Sequence, residues 1–223
     1  MVVIAHRCGP TRYPEQTIAS AQLAMEQGAD MVEIDVRLTI DGHLAVSHDE
    51  SLQRVYGADR NVATMTADEF KKLSHVEAPG FNAYMLSDFI VAGFPLLIHV
   101  KSNDVLPQLL ESIAPIRDRV VLGLPDPEAV CFVRERCPGI PILSFAKRSR
   151  VLEMLSVGVD YIRLWEEWLE PGIVAIIKAS GSGIWVMSGR MTESTVGIPT
   201  DAALAEIMEY QPDGILINDV TRV

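Results

Sequence analysis

The sequence predicts an α/β protein, a (β/α)8 barrel of the TIM type, and three observations carry that prediction. Eight short runs rich in Val, Ile and Leu recur along the 223 residues, at 2–6, 31–36, 96–100, 120–124, 140–145, 161–165, 184–188 and 214–218. Amphipathic stretches of helical length separate most of them, at 17–27, 105–114, 127–136, 149–156, 171–179 and 201–209. Strands alternating with helices make βαβ units and a parallel sheet, and eight units fill a chain of this length as one closed barrel. No Gly-rich dinucleotide loop or P-loop follows any run, which weighs against an open doubly wound sheet. A single domain over residues 1–223 is therefore expected.

The elements justify themselves in order. The first run ends at His6 and Arg7. In the first helical stretch Ile18, Ala21 and Met25 share a face, with Pro14 and Glu15 ahead of it and Gly28 at the usual C′ position. Between Met31 and Asp49 there is no room for a helix; Asp41-Gly42 sits between two extended runs and predicts a hairpin arm after the second strand. A turn centred between Asp41 and Gly42 sets Asp35 opposite His48. Residues 51–86 are the least regular, with one helix predicted over 67–73, and read as an excursion over the barrel mouth. From residue 96 onward strand and helix alternate regularly.

Composition narrows the function. Apolar residues make up 48% of the chain, enough for a sizeable core. The net charge of −11 argues against a nucleic-acid partner, whose affinity rests on Lys and Arg, but leaves room for one small phosphodiester in a local basic pocket. The cysteines, Cys8, Cys131 and Cys137, are odd in number and lack metal-type spacing, so they read as free buried thiols. No apolar run is long enough to span a membrane, and Met1 leads straight into a core-like run with no visible signal peptide, so a cytoplasmic protein is expected.

Glu33 and Asp35, two apart in one strand, point to the same side, while Val32, Ile34 and Val36 point to the other. Two like charges facing a barrel interior need neutralising; a divalent cation does this economically, and structural salt bridges are the alternative. His6 ends one strand and His48 ends the returning arm beside that acidic pair, so the two imidazoles can supply one base and one acid. Arg7 suits a phosphate oxygen, and Lys101, sharing a strand face with Leu97 and His99, is a second candidate phosphate contact.

The ordered series His6-Arg7-Cys8-Gly9, Pro14-Glu15-Gln16-Thr17, Gly28-Ala29-Asp30, Glu33-Ile34-Asp35-Val36, Thr39, Asp41-Gly42 and His48-Asp49 resembles the glycerophosphodiester phosphodiesterase family. Weaker similarity continues through Leu52, Arg54, Ile98-His99-Val100-Lys101, Asp126-Pro127-Glu128 and Asp213-Gly214-Ile215. The resemblance implies a barrel of the phospholipase-C-like phosphodiesterase type. It also implies one divalent metal on Glu33 and Asp35, His6 and His48 as the acid/base pair, and Arg7 and Glu15 beside them. The implied reaction converts a glycerophosphodiester to glycerol 3-phosphate and an alcohol, through a cyclic phosphate formed by the glycerol 2-hydroxyl. Which histidine is acid and which base stays open, as do a lyase outcome, an unusual sugar or lipid phosphodiester as substrate, and a non-catalytic binding role.

The chain departs from the family in places. His99 stands where the family usually has the third carboxylate ligand. Mg or Ca is the metal the resemblance implies; with His99 as ligand the site softens toward Mn, Co or Zn, and alternatively Glu166 or Glu167 compensates. Cys8 replaces a glycine, Leu124-Pro125 a Ser-Phe pair, and the stretch Met187, Ser188, Gly189, Arg190 a Trp-Thr-Val-Asn stretch, changes that reshape the pocket; Arg163 and Arg190 are candidates to add positive charge there, or else to face solvent or an ion-pair partner.

Overall fold

The computed structural model describes residues 1–191 and 195–223. Among them, eight parallel strands close into a barrel: β1 (Val2–Ala5), β2 (Met31–Leu38), β4 (Leu96–Val100), β5 (Val120–Leu124), β6 (Ile142–Ser144), β7 (Tyr161–Trp165), β8 (Gly183–Met187) and β9 (Gly214–Ile217). Closure comes from β1 pairing with both β9 and β2. The short strand β3 (Leu44–Val46) lies antiparallel on β2, outside the ring.

The helices are α1 (Ile18–Glu26), α2 (Gln53–Tyr56), α3 (Ala67–Phe70), α4 (Leu86–Ala92), α5 (Leu106–Ile113), α6 (Pro127–Arg136), α7 (Val151–Ser156), α8 (Pro171–Ala179) and α9 (Asp201–Glu209). Their starts follow side-chain chemistry: Thr17, Asp126 and Thr200 each accept a hydrogen bond from a first-turn backbone N–H. Val32, Ile34 and Val36 pack outward under these helices, while Ile4, Leu97, Leu143, Trp185 and Leu216 fill the barrel interior. The alternation along each strand produces the two layers.

Several expectations are corrected. The strand run expected to reach His6 stops at Ala5, and residues His6–Cys8 form a 3-10 turn instead. The hairpin register is one residue from the expected one: Val36 faces Val46 and Leu38 faces Leu44. The cause is the turn, in which Thr39 and His43 bond across a three-residue loop with Gly42 left-handed at φ 77°, rather than a two-residue loop. The Asp35 carbonyl therefore receives the Ser47 N–H at 2.9 Å, and His48 continues past the end of the arm. Helix α3 is shorter than 67–73, α2 and α4 were not foreseen, and Cys131 is exposed rather than buried. The excursion carries its own small core, with Leu52, Tyr56, Val62, Phe70 and Met85 packed on Ala45 of the arm. No helix among the described residues is long and apolar enough to cross a membrane.

Candidate active site

His6, Arg7, Glu33, Asp35 and His99 lie at or toward the C-terminal ends of barrel strands, and His48 reaches the same rim from the arm beyond β3. His6, Arg7, Glu33, Asp35, His48 and His99 line one cavity of about 240 Å³. Phe145, Arg163, Trp165, Met187, Met191 and Val196 complete its wall.

The turn after β1 is unusual. Arg7 and Cys8 both adopt left-handed backbone, φ 48° and 68°. That conformation is strained for residues with a Cβ, and such strain concentrates at functional sites. Here it aims the Arg7 N–H at Glu33 Oε2, 2.7 Å away. Gln16, also left-handed at φ 60°, donates from Nε2 to Asp35 Oδ2 at 2.6 Å. The buried Cys8 thiol lies against the Glu33 carbonyl, and burial together with the two nearby carboxylates pushes its pKa well up, so it stays protonated.

Glu33 and Asp35 are 1% and 0% exposed. Burial and the neighbouring Asp35 charge push the Glu33 carboxyl up. At Asp35 burial works the same way but is outweighed by the Lys101 ammonium and the His99 ring, which hold its carboxyl well below the usual range. Lys101 Nζ stands 2.7 Å and His99 Nδ1 2.8 Å from Asp35 Oδ1. Burial, aided by the Lys101 charge, lowers the His99 pKa to about 3, leaving a neutral ring with a lone pair to offer. One ligand atom each from Glu33, Asp35 and His99 falls within 4.8 Å of the others. Two carboxylates and a neutral imidazole form a donor set that fits a divalent cation.

The imidazoles differ in their backing. His6 Nδ1 is 2.8 Å from Asn218 Oδ1, and the Asn218 amide nitrogen donates to the Val196 carbonyl at 3.2 Å. That second bond turns the amide oxygen toward His6, so His6 carries its proton on Nδ1 and presents Nε2 bare. Burial and the Arg7 charge lower the His6 pKa to about 4. His48 Nδ1 instead faces the carboxylate of Asp49 at 2.7 Å, and Arg37 clasps the His48 carbonyl with Nε and Nη2 at 3.2 and 3.0 Å.

Asp49 is tied in turn. Arg54 Nε donates to Asp49 Oδ2 at 2.5 Å and its Nη2 to Glu15 Oε1 at 2.6 Å, while Glu15 Oε2 accepts from Arg7 Nη1 at 3.0 Å. Glu15 is thus the anchor of Arg7 and Arg54. Lys101 lies against the acidic pair and His99, and the wall of the cavity is built without it. Glu166 accepts the Gly189 N–H at 2.6 Å and, with Glu167 and Arg190, lines a separate depression; neither acid joins the donor cluster. Gln16 and Asn218 went unrecognised as partners of Asp35 and His6. The only signals in the chain were Gln16 inside the Pro-Glu-Gln-Thr stretch and Asn218 at the end of the last run.

Comparison with known proteins places this geometry. The sequence pattern of the Glycerophosphoryl diester phosphodiesterase family matches residues 6–179. A glycerophosphodiester phosphodiesterase of Caldanaerobacter subterraneus subsp. tengcongensis is 50% identical over 72 residues, 32% of this chain and 30% of that protein. The human lysophospholipase D GDPD1 is 40% identical over 197 residues, 78% of this chain and 63% of that protein. The matched stretches thus span less than two thirds of either relative's length. Among solved structures, a putative glycerophosphoryl diester phosphodiesterase from Silicibacter pomeroyi shares the fold with a TM-score of 0.84 at 19% identity, covering 100% of this chain and 91% of the other. An Oleispira antarctica phosphodiesterase, solved with its product sn-glycerol-3-phosphate, has a TM-score of 0.83 at 21% identity, covering 98% and 93%. A family pattern that extends from His6 through α8, over most of the barrel, is more than local similarity, and the chain belongs to the glycerophosphoryl diester phosphodiesterase family.

Proposed function

We propose that the protein is a metal-dependent phosphodiesterase that hydrolyses a glycerophosphodiester to glycerol 3-phosphate and an alcohol. One observation carries this reading: two imidazoles, His6 and His48, share a cavity with the donor cluster of Glu33, Asp35 and His99. The family relationship and the product bound to the Oleispira phosphodiesterase support the substrate class.

The differing partners of the imidazoles support one division of roles. Neutral His6, held by an uncharged amide, takes the proton of the glycerol 2-hydroxyl on Nε2. The 2-oxygen attacks phosphorus and the P–O bond to the alcohol breaks. His48, held at Nδ1 by the Asp49 carboxylate, gives that departing oxygen its proton. In the second half His48 takes a proton from water, the hydroxide opens the cyclic phosphate, and His6 returns its proton to the 2-oxygen. Arg7, with a buried Nε that lacks a partner, is suited to hold a phosphoryl oxygen. Glu15 serves by positioning Arg7. Lys101 balances the charge of Asp35. When bound by Glu33, Asp35 and His99, the divalent cation supplies charge to a phosphoryl oxygen and acidifies the attacking hydroxyl.

The test is turnover of glycerophosphodiesters with each of Mg, Ca, Mn, Co and Zn, followed by phosphorus NMR. Glycerol 3-phosphate as product, with His6→Ala and His48→Ala each reducing the rate at least about a hundredfold, is the expected result. Accumulating cyclic phosphate makes the enzyme a lyase. No turnover with any ion rejects catalysis in favour of binding.

A further inference from the structure

Arg163 belongs to none of the roles above, and its surroundings are anomalous. It sits midway along β7, 6% exposed, and lines the same cavity as the histidines. Its Nη2 donates to the Phe145 carbonyl at 3.2 Å, while Nε and Nη1 are buried with no hydrogen-bond partner. The rings of Phe145, Trp165 and Trp168 surround it, with Cζ 5.2, 4.8 and 5.4 Å from their centroids. Among the described residues no carboxylate pairs with it, and burial alone lowers its pKa to about 10, so it stays charged at neutral pH. A fork of donors held charged, stiff and unpaired in a cavity wall is suited to an incoming anion.

That anion is not the phosphoryl group under attack. The Phe145 ring stacks on the His99 imidazole at 3.9 Å and also meets the Arg163 guanidinium, so a phenyl ring stands between Arg163 and the donor cluster. The stack is itself a built feature: a Cβ on Gly123 would lie 2.6 Å from the Phe145 ring, so only glycine leaves it room. Arg163 thus occupies a second position in the cavity, across an aromatic spacer from Glu33, Asp35 and His99.

We propose that Arg163 forms a second anion subsite, and that the preferred substrate is a phosphodiester whose alcohol carries a further negative group, a carboxylate or a phosphate. This rests on the phosphodiesterase reading and names its substrate class. Choline-like alcohols are disfavoured, because their ammonium meets an unpaired guanidinium.

The experiment uses four glycerol phosphodiesters of similar length, whose alcohols end in a carboxylate, a phosphate, a neutral hydroxyl or a trimethylammonium. Turnover is measured on the wild type, Arg163→Gln and Arg163→Lys. Binding of the same four is measured by calorimetry on His48→Ala and on His48→Ala combined with Arg163→Gln. Expected is a preference of at least about tenfold for an anionic over the neutral tail, in kcat/KM and in affinity. That ratio should fall to near one in Arg163→Gln and be partly kept by Arg163→Lys; the carboxylate and phosphate arms tell which anion is taken. Turnover indifferent to the tail overturns the subsite and leaves hydrolysis standing. Tail-dependent binding without turnover by the wild type leaves the subsite standing and rejects hydrolysis. Thermal melting adds an independent reading: Arg163→Met, which removes an unpaired buried charge, should raise Tm, and a marked fall would make Arg163 a structural strut and overturn the proposal.

Discussion

A Cβ built on Gly197 falls 2.0 Å from Asn218 Oδ1 and 3.0 Å from His6 Nδ1, at a φ of 76°. No side chain fits there without breaking the hydrogen bond that sets the His6 tautomer. Gly197→Ala should therefore lower kcat by about a hundredfold or more, the worth of a positioned base, with a modest loss of Tm; unchanged kcat would detach Asn218 from the mechanism. The charge of the same partner sets a pH prediction. In the proposed reaction neutral His6 is the working form of the base, and with its pKa lowered to about 4 the acid limb of kcat/KM is expected well below neutrality. Asn218→Asp places a carboxylate on Nδ1, stabilises the protonated ring, and should move that limb upward by about one to two units. A limb that stays put assigns the base elsewhere. These partners were hard to read in the chain because of their separation: 212 positions divide His6 from Asn218, and 19 divide Gln16 from Asp35. The period-two spacing of Glu33 with Asp35, and of His99 with Lys101, was legible because a strand determines which neighbours share a face.

At the scale of elements, the arm and the excursion deliver His48. Arg54 on α2 joins Asp49, beyond the arm, to Glu15, in the loop after β1. The His48 bond, with help from Arg54, holds the Asp49 carboxyl well below its usual range; Glu15 is lowered too, burial being outweighed by Arg54 and Arg7. Carboxylates with depressed pKa values stabilise the fold above their unfolded pKa and lose that contribution as the pH falls through the folded value. Arg54→Ala should thus lower stability by roughly 1 kcal/mol at neutral pH, allowing for solvent screening of a side chain 43% exposed. The difference from wild type should shrink as the pH drops below about 4. Urea unfolding across that range checks it; a constant difference would deny the pair its electrostatic origin. The hairpin was legible from Asp41-Gly42, but its register was not, because a third loop residue and the Thr39 bonds set it. The excursion was obscure because its helices, α2 and α3, are only four residues long and depend on contacts with the rest of the chain, packing on Ala45 of the arm and bonding to Asp49, Glu15 and Asp41.

At the scale of the molecule, the closed sheet concentrates charge where it is hardest to tolerate. Glu33 and Asp35 are buried with Lys101, Gln16, His99 and the Arg7 backbone N–H as their compensation, and of these Lys101 alone brings a full positive charge within 2.7 Å of either carboxylate. A bound divalent ion should stabilise the fold by about 2.7 kcal/mol at a hundredfold excess over its Kd, seen as a rise in Tm that a chelator reverses. Mn, Co or Zn should act more strongly than Mg or Ca, and His99→Glu should reverse that order. Glu33→Ala and Asp35→Ala should each abolish the response without unfolding the chain. A metal response untouched by these substitutions would move the site elsewhere. The chain alone determined the barrel, since eight apolar runs alternating with amphipathic stretches have one economical way to bury both layers. It also marked which residues to look for at the strand ends, because residue type and strand period are local properties. The tertiary structure alone decided which partners those residues meet. The amide behind His6 comes from a residue 212 positions away that only the closure of β1 on β9 brings near, and the aromatic spacer beside Arg163 comes from the pairing of β6 with β7, whereas the carboxylate behind His48 is simply its chain neighbour Asp49.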